Sequence, residues 1–540
     1  MAKLVETSVI IVGGSIVGLS QALFLAHRKV PFILLERHTG SAIHPRAIGY
    51  TARTIETFRA LGVDKRLPTP PPVAGGRPRR VKATALNGDW TEERPWTRPS
   101  AQNDDTKPQD ASRRSPPDYS SITPVQATAI AQDKLEPLIR DEALRLGADL
   151  RLGTSMTQWS QDEEGVSVTA TDQKGHLMHI QAKYLVACDG AESRVRKDLG
   201  IPTTGVGYIR SLHSILFRCP SIDHYLSKGI HQWELKNDDF EALLVTYGDG
   251  RWALMTSGSR QQAPSGDEQK QMVQSALGLD APDIDLLAEG HWNLSGSVAA
   301  SFSSKRVFLA GDAAHALPPN RGGYGANTGI SDAHNLAWKL QAVLSGRSDP
   351  SLLATYDQER RPLALVRHDQ IFVRDDYKSQ VAGTDWERAH RHVQIYDDIA
   401  MELGQVYRSS AIVGAADETE PDARTPAAWR GQPGTRAPHI RLMGKKEEIS
   451  SLDLFGEGWT LLTKDGGWKV ICGAFADVRV VLVGTDVTEV AEGSFLDAFG
   501  VQETGAALVR PDGYIAARWE LGVSANKLAV AYRKAAHSLQ

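Results

Sequence analysis

Cysteine is scarce. Three stand in 540 residues, Cys188, Cys219 and Cys472, far apart and without a CxxC or a Cys/His cluster. That argues against a disulfide scaffold and a structural zinc site, so no metal is expected, and it points to a reducing compartment. An excess of one charge is also missing: 61 Lys+Arg face 65 Asp+Glu, a formal net charge of −4. Nothing therefore points to nucleic acid or an anionic membrane as partner. No run reaches the roughly 20 apolar residues that a membrane helix needs. Lys3 and Glu6 precede a short apolar run broken by glycines, which is not a secretory signal. His537-Ser538-Leu539-Gln540 is no retention or peroxisomal signal. A cytoplasmic location is the expectation. Heptads and short-period repeats are absent too.

The chain does have an ordinary globular composition, 41% hydrophobic and 23% charged. At roughly 150 residues per domain its length allows three to four units, or fewer large ones. Residues 8–12 read as a buried parallel strand, 19–28 as a helix and Pro31 to Leu35 as a second strand, which is a βαβ unit. Residues 68–123, rich in Pro, Gly, Arg, Asp and Ser, read as an irregular excursion, either a plain surface insertion or a cover over a cleft. Residues 132–147 read as a helix ending at Gly147, and 150–187 as alternating strands. The stretch 205–260 reads as an antiparallel sheet and 306–310 as another buried strand. Residues 351–412 read as largely helical, 414–438 as a linker and 451–535 as a small α/β unit.

Three motifs carry chemistry. Gly13-Gly14-Ser15-Ile16-Val17-Gly18 follows a strand and opens a helix, the setting of the dinucleotide fingerprint, although Ser15 takes the second glycine position. Glu36, with Arg37 beside it, ends the second strand, where a carboxylate can accept from both ribose hydroxyls. The bland alternative is a tight turn without a ligand. Cys188-Asp189-Gly190 can set a carboxylate and bare backbone beside a ligand, and is by itself an ordinary turn. The third runs from Gly311-Asp312-Ala313-Ala314-His315 to Gly325-Ala326-Asn327-Thr328-Gly329. Its Asp312 can accept from a polyol chain, and its glycine-rich end opens a helix whose N-terminus stabilises negative charge.

In this order and at these separations the motifs resemble the single-component, class A, FAD-dependent aromatic hydroxylases. His44-Pro45-Arg46-Ala47, Arg53-Thr54-Ile55-Glu56 and Ala131-Gln132-Asp133-Lys134-Leu135-Glu136 match that family as well. The resemblance is strong over about residues 8–370. It continues more weakly through Pro433–Pro438 and Leu508–Ala516, similar to the phenol and polyketide hydroxylase branch with its thioredoxin-like C-terminal domain. With Cys472 as its only cysteine, that domain is expected to dimerise or scaffold rather than to do thiol chemistry.

The resemblance implies an α/β fold: a Rossmann-type FAD-binding domain with an interleaved mixed or antiparallel substrate-side sheet, plus a small thioredoxin-like α/β domain. The expected divisions are 1–413 for the monooxygenase unit (FAD part about 1–70, 124–204 and 290–370, substrate part about 71–123 and 205–289), 414–438 for a linker and 439–540 for the C-terminal domain. It implies that Gly13, Gly14, Ser15 and Gly18 hold the FAD pyrophosphate, Glu36 and Arg37 the adenosine side, Arg46 the pyrophosphate and NADPH, and Gln132 the flavin chain. Asp189 and Gly190 would serve FAD and NADPH, Gly311 and Asp312 the ribityl chain, and Gly325, Ala326 and Asn327 the isoalloxazine ring.

The implied chemistry is reduction of FAD by NADPH (or NADH), reaction with O2 to a C4a-hydroperoxide, and attack by an electron-rich phenolate. Candidates for phenol activation are Tyr208, Arg210 and His213, with Tyr247 and His231 further along. Tyr208 falls at a substrate-contacting tyrosine in an ungapped comparison with the hydroxybenzoate hydroxylase strand. Pro319 is expected to offer its carbonyl to a substrate hydroxyl. Baeyer–Villiger insertion, epoxidation and dearomatisation share these motifs and stay open. The Trp-x-Trp-x-Ile-Pro segment of halogenases is absent. The expected partner is a small aromatic substrate, with a homodimer possible.

Overall fold

The strand Val9–Val12 is β-branched and apolar throughout, and lies at the centre of a six-stranded sheet. The order is Ser303–Ser304, Val307–Leu309, Tyr184–Ala187, Val9–Val12, Phe32–Glu36, Asp149–Leu152, parallel except for the first pair. Such strands are covered on both faces, which is why they carry no polar alternation. The helices Ile16–His27 and Tyr324–Leu344 pack against each other and share this core. The helix Gln132–Arg145 packs on Ile16–His27 and ends before Gly147, whose φ is +92°. The computed structural model describes residues 3–44, 47–69, 79–93, 118–238, 240–258, 264–280, 282–319 and 322–539.

An eight-stranded mixed sheet forms the second layer. Its order is His315–Ala316, Asp285–Ala299, Thr203–Arg218, Arg251–Ser257, Glu241–Thr246, Ile230–Lys236, Arg79–Ala83, Trp90–Glu92. All pairings are antiparallel except that of Ile230–Lys236 with Arg79–Ala83. Alternation gives this sheet two buried faces. Ile215, Phe217, Trp252 and Leu254 pack beneath the helix Gly266–Leu277, through Val273, Ala276 and Leu277. Leu216, Val245 and Ala253 point the other way. On that side Ser214 meets His44, and Gly296 lies against His368 and Phe372, so this is the face turned to the six-stranded unit. Part of the 68–123 excursion thus becomes edge strands, and its reading as a cover falls on stretches outside the described residues.

The C-terminal unit has a four-stranded sheet, Val478–Leu482, Trp459–Thr463, Ala506–Val509, Ile515–Trp519, with a parallel first pair and antiparallel others. The helices Gly467–Cys472, Ser494–Phe499 and Ala525–Ala536 alternate with these strands. Its core runs continuously into Trp338, Ala342 and Leu352 of the first unit. Buried ion pairs cross the same boundary. Arg436 donates to Glu56 from Nε at 2.8 Å and from Nη2 at 2.6 Å, and Arg510 Nη2 donates to Glu359 at 2.9 Å.

The stretch 414–438, expected as a linker, is packed against its surroundings: Ala423, Trp429, Thr435, Arg436 and Ala437 are buried, and Val406 bridges Thr435. One expectation differs from the structure. Helix over 351–412 is confined mainly to Ala354–Phe372, followed by the short Asp375–Lys378, Asp385–His390 and Asp398–Leu403. Gly383, at φ +77°, and Gly404, closed against the Arg424 carbonyl, interrupt it.

Candidate functional site

The first wall of the site is the turn after Val12. Gly13 takes φ +101°, and a Cβ there would lie 2.2 Å from the Cys188 carbonyl oxygen. A Cβ on Gly18 would lie 1.9 Å from the Gly13 carbonyl. No other residue allows this closure, which brings the Ile16–His27 N-terminus and its free N–H groups to the sheet edge. Ser15 fits because its own φ is −79°, an ordinary extended value. The Glu36 carboxylate lies over the turn, accepting from Gly14 N–H at 2.6 Å and His38 N–H at 2.8 Å. Arg37 is exposed, its Nε donating to His38 at 3.1 Å. Gln132 Nε2 donates to Ser15 Oγ at 2.9 Å and to Glu136 Oε1 at 2.7 Å. Glu136, buried and also taking the Ser15 hydroxyl at 3.0 Å, was quoted in a motif but given no role by sequence reasoning.

Asp189 Oδ2 accepts from Val195 N–H at 3.2 Å, while its buried Oδ1 has no hydrogen-bond partner among the described residues. Gly190, at φ +86°, leaves open space where a side chain would stand. A glycine-lined helix end, a ribose-height carboxylate and an unpaired buried carboxylate oxygen fit a dinucleotide such as FAD. Arg46 lies outside the described residues.

The second wall is the turn Gly311–Ala313. Gly311 takes φ +61°, and a Cβ there would meet Val17 at 2.8 Å. Its N–H donates to Asp332 Oδ2 at 3.2 Å. His315 Nε2 lies 2.6 Å from the same oxygen, and Arg360 Nε donates to Oδ1 at 2.8 Å. All three side chains are buried, with Asp332 and His315 at 0% exposure. Burial alone would raise the Asp332 carboxyl, but His315 and Arg360 hold it below the usual range. This triad fixes the turn so that Asp312 is exposed between buried Gly311 and Ala313. Asp332 carries no motif signal and is legible only in three dimensions.

Next the helix Tyr324–Leu344 begins at Gly323, φ +63°. Gly325 and Ala326 are half-buried in its first turn. The Asn327 side chain is fully used: Oδ1 accepts from Thr51 N–H at 3.0 Å and Thr54 Oγ1 at 2.6 Å, and Nδ2 donates to the Gly49 and Gly323 carbonyls at 3.0 and 2.7 Å. Asn327 thus pins the helix start to the segment 49–54, leaving only its backbone to meet a ring.

The third wall is the inward face of the large sheet. Residues paired across strands share a face. Arg210 pairs with Leu294, Leu212 with Trp292 and Ser214 with Gly290, and this is the side on which His44 sits. His44 Nε2 lies 2.6 Å from Ser214 Oγ, and its ring meets Trp292 edge-on at 5.8 Å. Tyr208 pairs with Ser295 and His213 with His291 on the opposite face. Tyr208 is 64% exposed and its hydroxyl lies 3.0 Å from Ser211 Oγ. The ungapped comparison missed this because the pairing shifts register between Thr204 and Gly207 and again between Tyr208 and Arg210. His213 is buried beneath the Gly266–Leu277 side.

Tyr247 shares the inward face with Val245 and Met255. Burial pushes its phenol well up, so it stays protonated and serves as a donor rather than a base. Nearby, Arg251 donates to Asp133 at 2.9 and 3.2 Å, tying the sheet to the helix that carries Gln132. The Pro319 carbonyl already accepts from the Tyr377 hydroxyl at 2.6 Å, leaving one lone pair for a second donor. His231 is half-buried, its Nδ1 3.3 Å from the Gly229 carbonyl.

A dinucleotide cradle joined to an apolar sheet face, as His44 meets Ser214 and Arg251 meets Asp133, is the arrangement of a flavoprotein monooxygenase. The comparisons narrow the class: the chain belongs to the FAD-binding aromatic-ring hydroxylases. A family profile described as "FAD binding domain" matches residues 6–368, and one described as "Aromatic-ring hydroxylase, C-terminal" matches residues 430–536. The chain is 36% identical to the tetracenomycin A2 monooxygenase-dioxygenase of Streptomyces glaucescens, over 95% of this chain and 94% of that protein. It is 34% identical to the 4-methyl-5-nitrocatechol 5-monooxygenase of a Burkholderia species, at the same coverage of both. A ternary complex of aklavinone-11 hydroxylase with FAD and aklavinone superposes with a TM-score of 0.82 at 28% identity, over 98% of this chain and 99% of that one. The chain is therefore an FAD-dependent monooxygenase.

Proposed function

We propose that this enzyme uses NAD(P)H and O2 to hydroxylate a phenolic or aromatic polyketide-like small molecule. The observation that carries this reading is the inward sheet face. Leu212, Leu216, Val245, Ala253, Met255 and Trp292 make an apolar floor opposite the cradle, with Ser214 and Arg210 as its polar members. Such a floor desolvates a planar aromatic and leaves few groups to orient its hydroxyls. FAD, when bound by the cradle, would supply the redox chemistry between NAD(P)H and O2. The chain supplies positioning, exclusion of water and a place for the phenol proton. The Ser214 hydroxyl is our candidate relay for that proton, taking it as it passes its own to the His44 imidazole, and Arg210 is our candidate for steadying the phenolate. Glu36 and Gln132 support the nucleotide, and Asp312 the ribityl chain.

We further propose that residues 1–413 form the catalytic unit and 439–540 a thioredoxin-like unit, as the strand order with one parallel and two antiparallel pairings supports. We assign the enzyme to the cytoplasm, where its three unpaired cysteines stay reduced, and assign the C-terminal unit a part in homodimer formation. No described helix is long and apolar enough to cross a membrane.

The test is NAD(P)H oxidation in air by the FAD-loaded enzyme across phenols and aromatic polyketides, with 18O2 and mass spectrometry of the products. Substrate-stimulated oxidation with one 18O on an aromatic carbon is expected. Stimulated oxidation yielding only hydrogen peroxide, or oxygen inserted beside a ketone, would refute ring hydroxylation.

A further inference from the structure

On the sheet face turned away from the cradle, three donors converge. His213 and His291 are directly paired on adjacent strands, and Glu289 precedes His291 by two residues, so all three project from one face. The imidazoles stack with centroids 4.5 Å apart and planes at 24°. His213 Nε2 stands 3.7 Å from Glu289 Oε2. One donor atom from each residue lies within 4.8 Å of the other two. Among the described residues, all four ring nitrogens are buried without a hydrogen-bond partner, and His213 is only 3% exposed. Buried polar groups are ordinarily satisfied, so unpaired imidazole nitrogens gathered beside a carboxylate call for a missing partner.

The geometry points to a binding site for one divalent transition cation of the zinc class, built from His213, His291 and Glu289. Two imidazoles and a carboxylate match the donor preference of Zn2+ and leave a fourth position for water, whereas Ca2+ and Mg2+ require oxygen donors. Metal–donor bonds of about 2.0–2.1 Å place tetrahedral donors roughly 3.4 Å apart. His213 Nε2 and Glu289 Oε2, at 3.7 Å, stand near that spacing, and the three donors lie within 4.8 Å of one another. The carboxylate is already oriented from outside: Gln269 Nε2, on the covering helix, donates to Glu289 Oε2 at 2.9 Å and to the Pro264 carbonyl at 3.0 Å. Outer partners of this kind commonly hold metal-ligating carboxylates. A bound cation would clamp the strands Thr203–Arg218 and Asp285–Ala299 to each other, behind the floor formed by Ser214, Gly290 and Trp292.

The test uses tag-free, FAD-loaded enzyme, stripped with chelator and gel-filtered. Zn2+ is titrated against a chromogenic chelator, metal content is measured after a second gel filtration, and Co2+ is added as a spectroscopic probe. One Zn2+ per chain should be retained, with a Co2+ spectrum of low-coordinate N/O ligation. Affinity should fall at least tenfold in His291→Ala and Glu289→Gln, and about 10–100-fold in Gln269→Ala. His213→Ala should also lose the metal. His291 and Glu289 are less buried, so their variants keep the test decisive if the His213 variant does not fold. Failure to retain Zn2+, or retention with equal affinity in every variant, would overturn the assignment.

Discussion

Replacing Asp332 with asparagine removes one charge from a fully enclosed set. Arg360 would keep its guanidinium at 2% exposure with its carboxylate partner gone, and the Gly311 N–H would lose a charged acceptor. Removing one member of a buried pair costs about 3–5 kcal/mol, because the remaining charge is left uncompensated. In a chain of 540 residues each kcal/mol moves the melting temperature by about 1 °C, so Asp332→Asn should melt about 3–5 °C lower. The loss should extend to the cofactor, since Asp332 fixes the turn that presents Asp312. Melting followed by release of flavin fluorescence reads both effects, with FAD occupancy measured from the protein as purified. Asp172→Asn is the control, because its pair with His176 lies on the surface, where solvent screens it. Asp332→Leu combined with Arg360→Met, which removes both charges, should recover part of the loss. If Asp332→Asn melts within about 1 °C of wild type at full flavin occupancy, the triad does not hold the turn and the argument fails.

Asp312→Ala should purify largely without FAD; full occupancy would remove Asp312 from the cofactor site. Ser214→Ala should lower the rate of product formation about 10²-fold or more for phenols while leaving NAD(P)H-driven flavin reduction within a few-fold; stopped-flow separates the two, and an equal loss in both would place Ser214 elsewhere. Glu56 is buried between Arg436 and Arg53; burial raises its carboxyl, but those cations and Thr123 hold it below the ordinary value. A depressed carboxylate contributes stability that is present above about pH 4.3 and is lost as pH falls through its folded value. Glu56→Gln should therefore destabilise at neutral pH and flatten the acid arm of the stability profile, as denaturant midpoints between pH 3 and 7 would reveal. An unchanged acid arm would mean that Glu56 is not the group being titrated.

The cradle was the most legible part because its constraints are local. A glycine that must pass a carbonyl at van der Waals limits, as Gly13 passes Cys188, leaves a mark in one stretch of sequence. The buried strands Val9–Val12 and Tyr184–Ala187 are likewise visible as unbroken apolar runs. The sheet face was not legible. Alternation assigns a side chain to one face only until a register shift reverses it, and Thr203–Arg218 contains two before His213. Tyr208 and His213 therefore emerged on the outward side while Ser214 took the inward one. Asp332 was missed because its partners, His315 and Arg360, come from other elements, and no spacing rule links them; Glu136 stands one turn after Gln132 on the same helix, but its contact with Ser15 joins two elements. The converging His213, His291 and Glu289 escaped for the same reason, being drawn from two strands rather than from a compact ligand motif.

The boundary between the two units has a consequence for biosynthesis. Glu359 is fully enclosed, and it accepts from Lys339 and from Arg510, a residue near the end of the chain. Glu56 waits likewise for Arg436. Chains emerge from the ribosome N-terminus first, so these carboxylates, together with the apolar side of Trp338, must remain hydrated or shielded by chaperones until the final segment is made. The nucleotide-binding half is thus not a self-sufficient nascent domain. A nonsense mutation or premature stop upstream of Arg436 would leave a fragment with every cofactor motif and yet no means of closing its own interior.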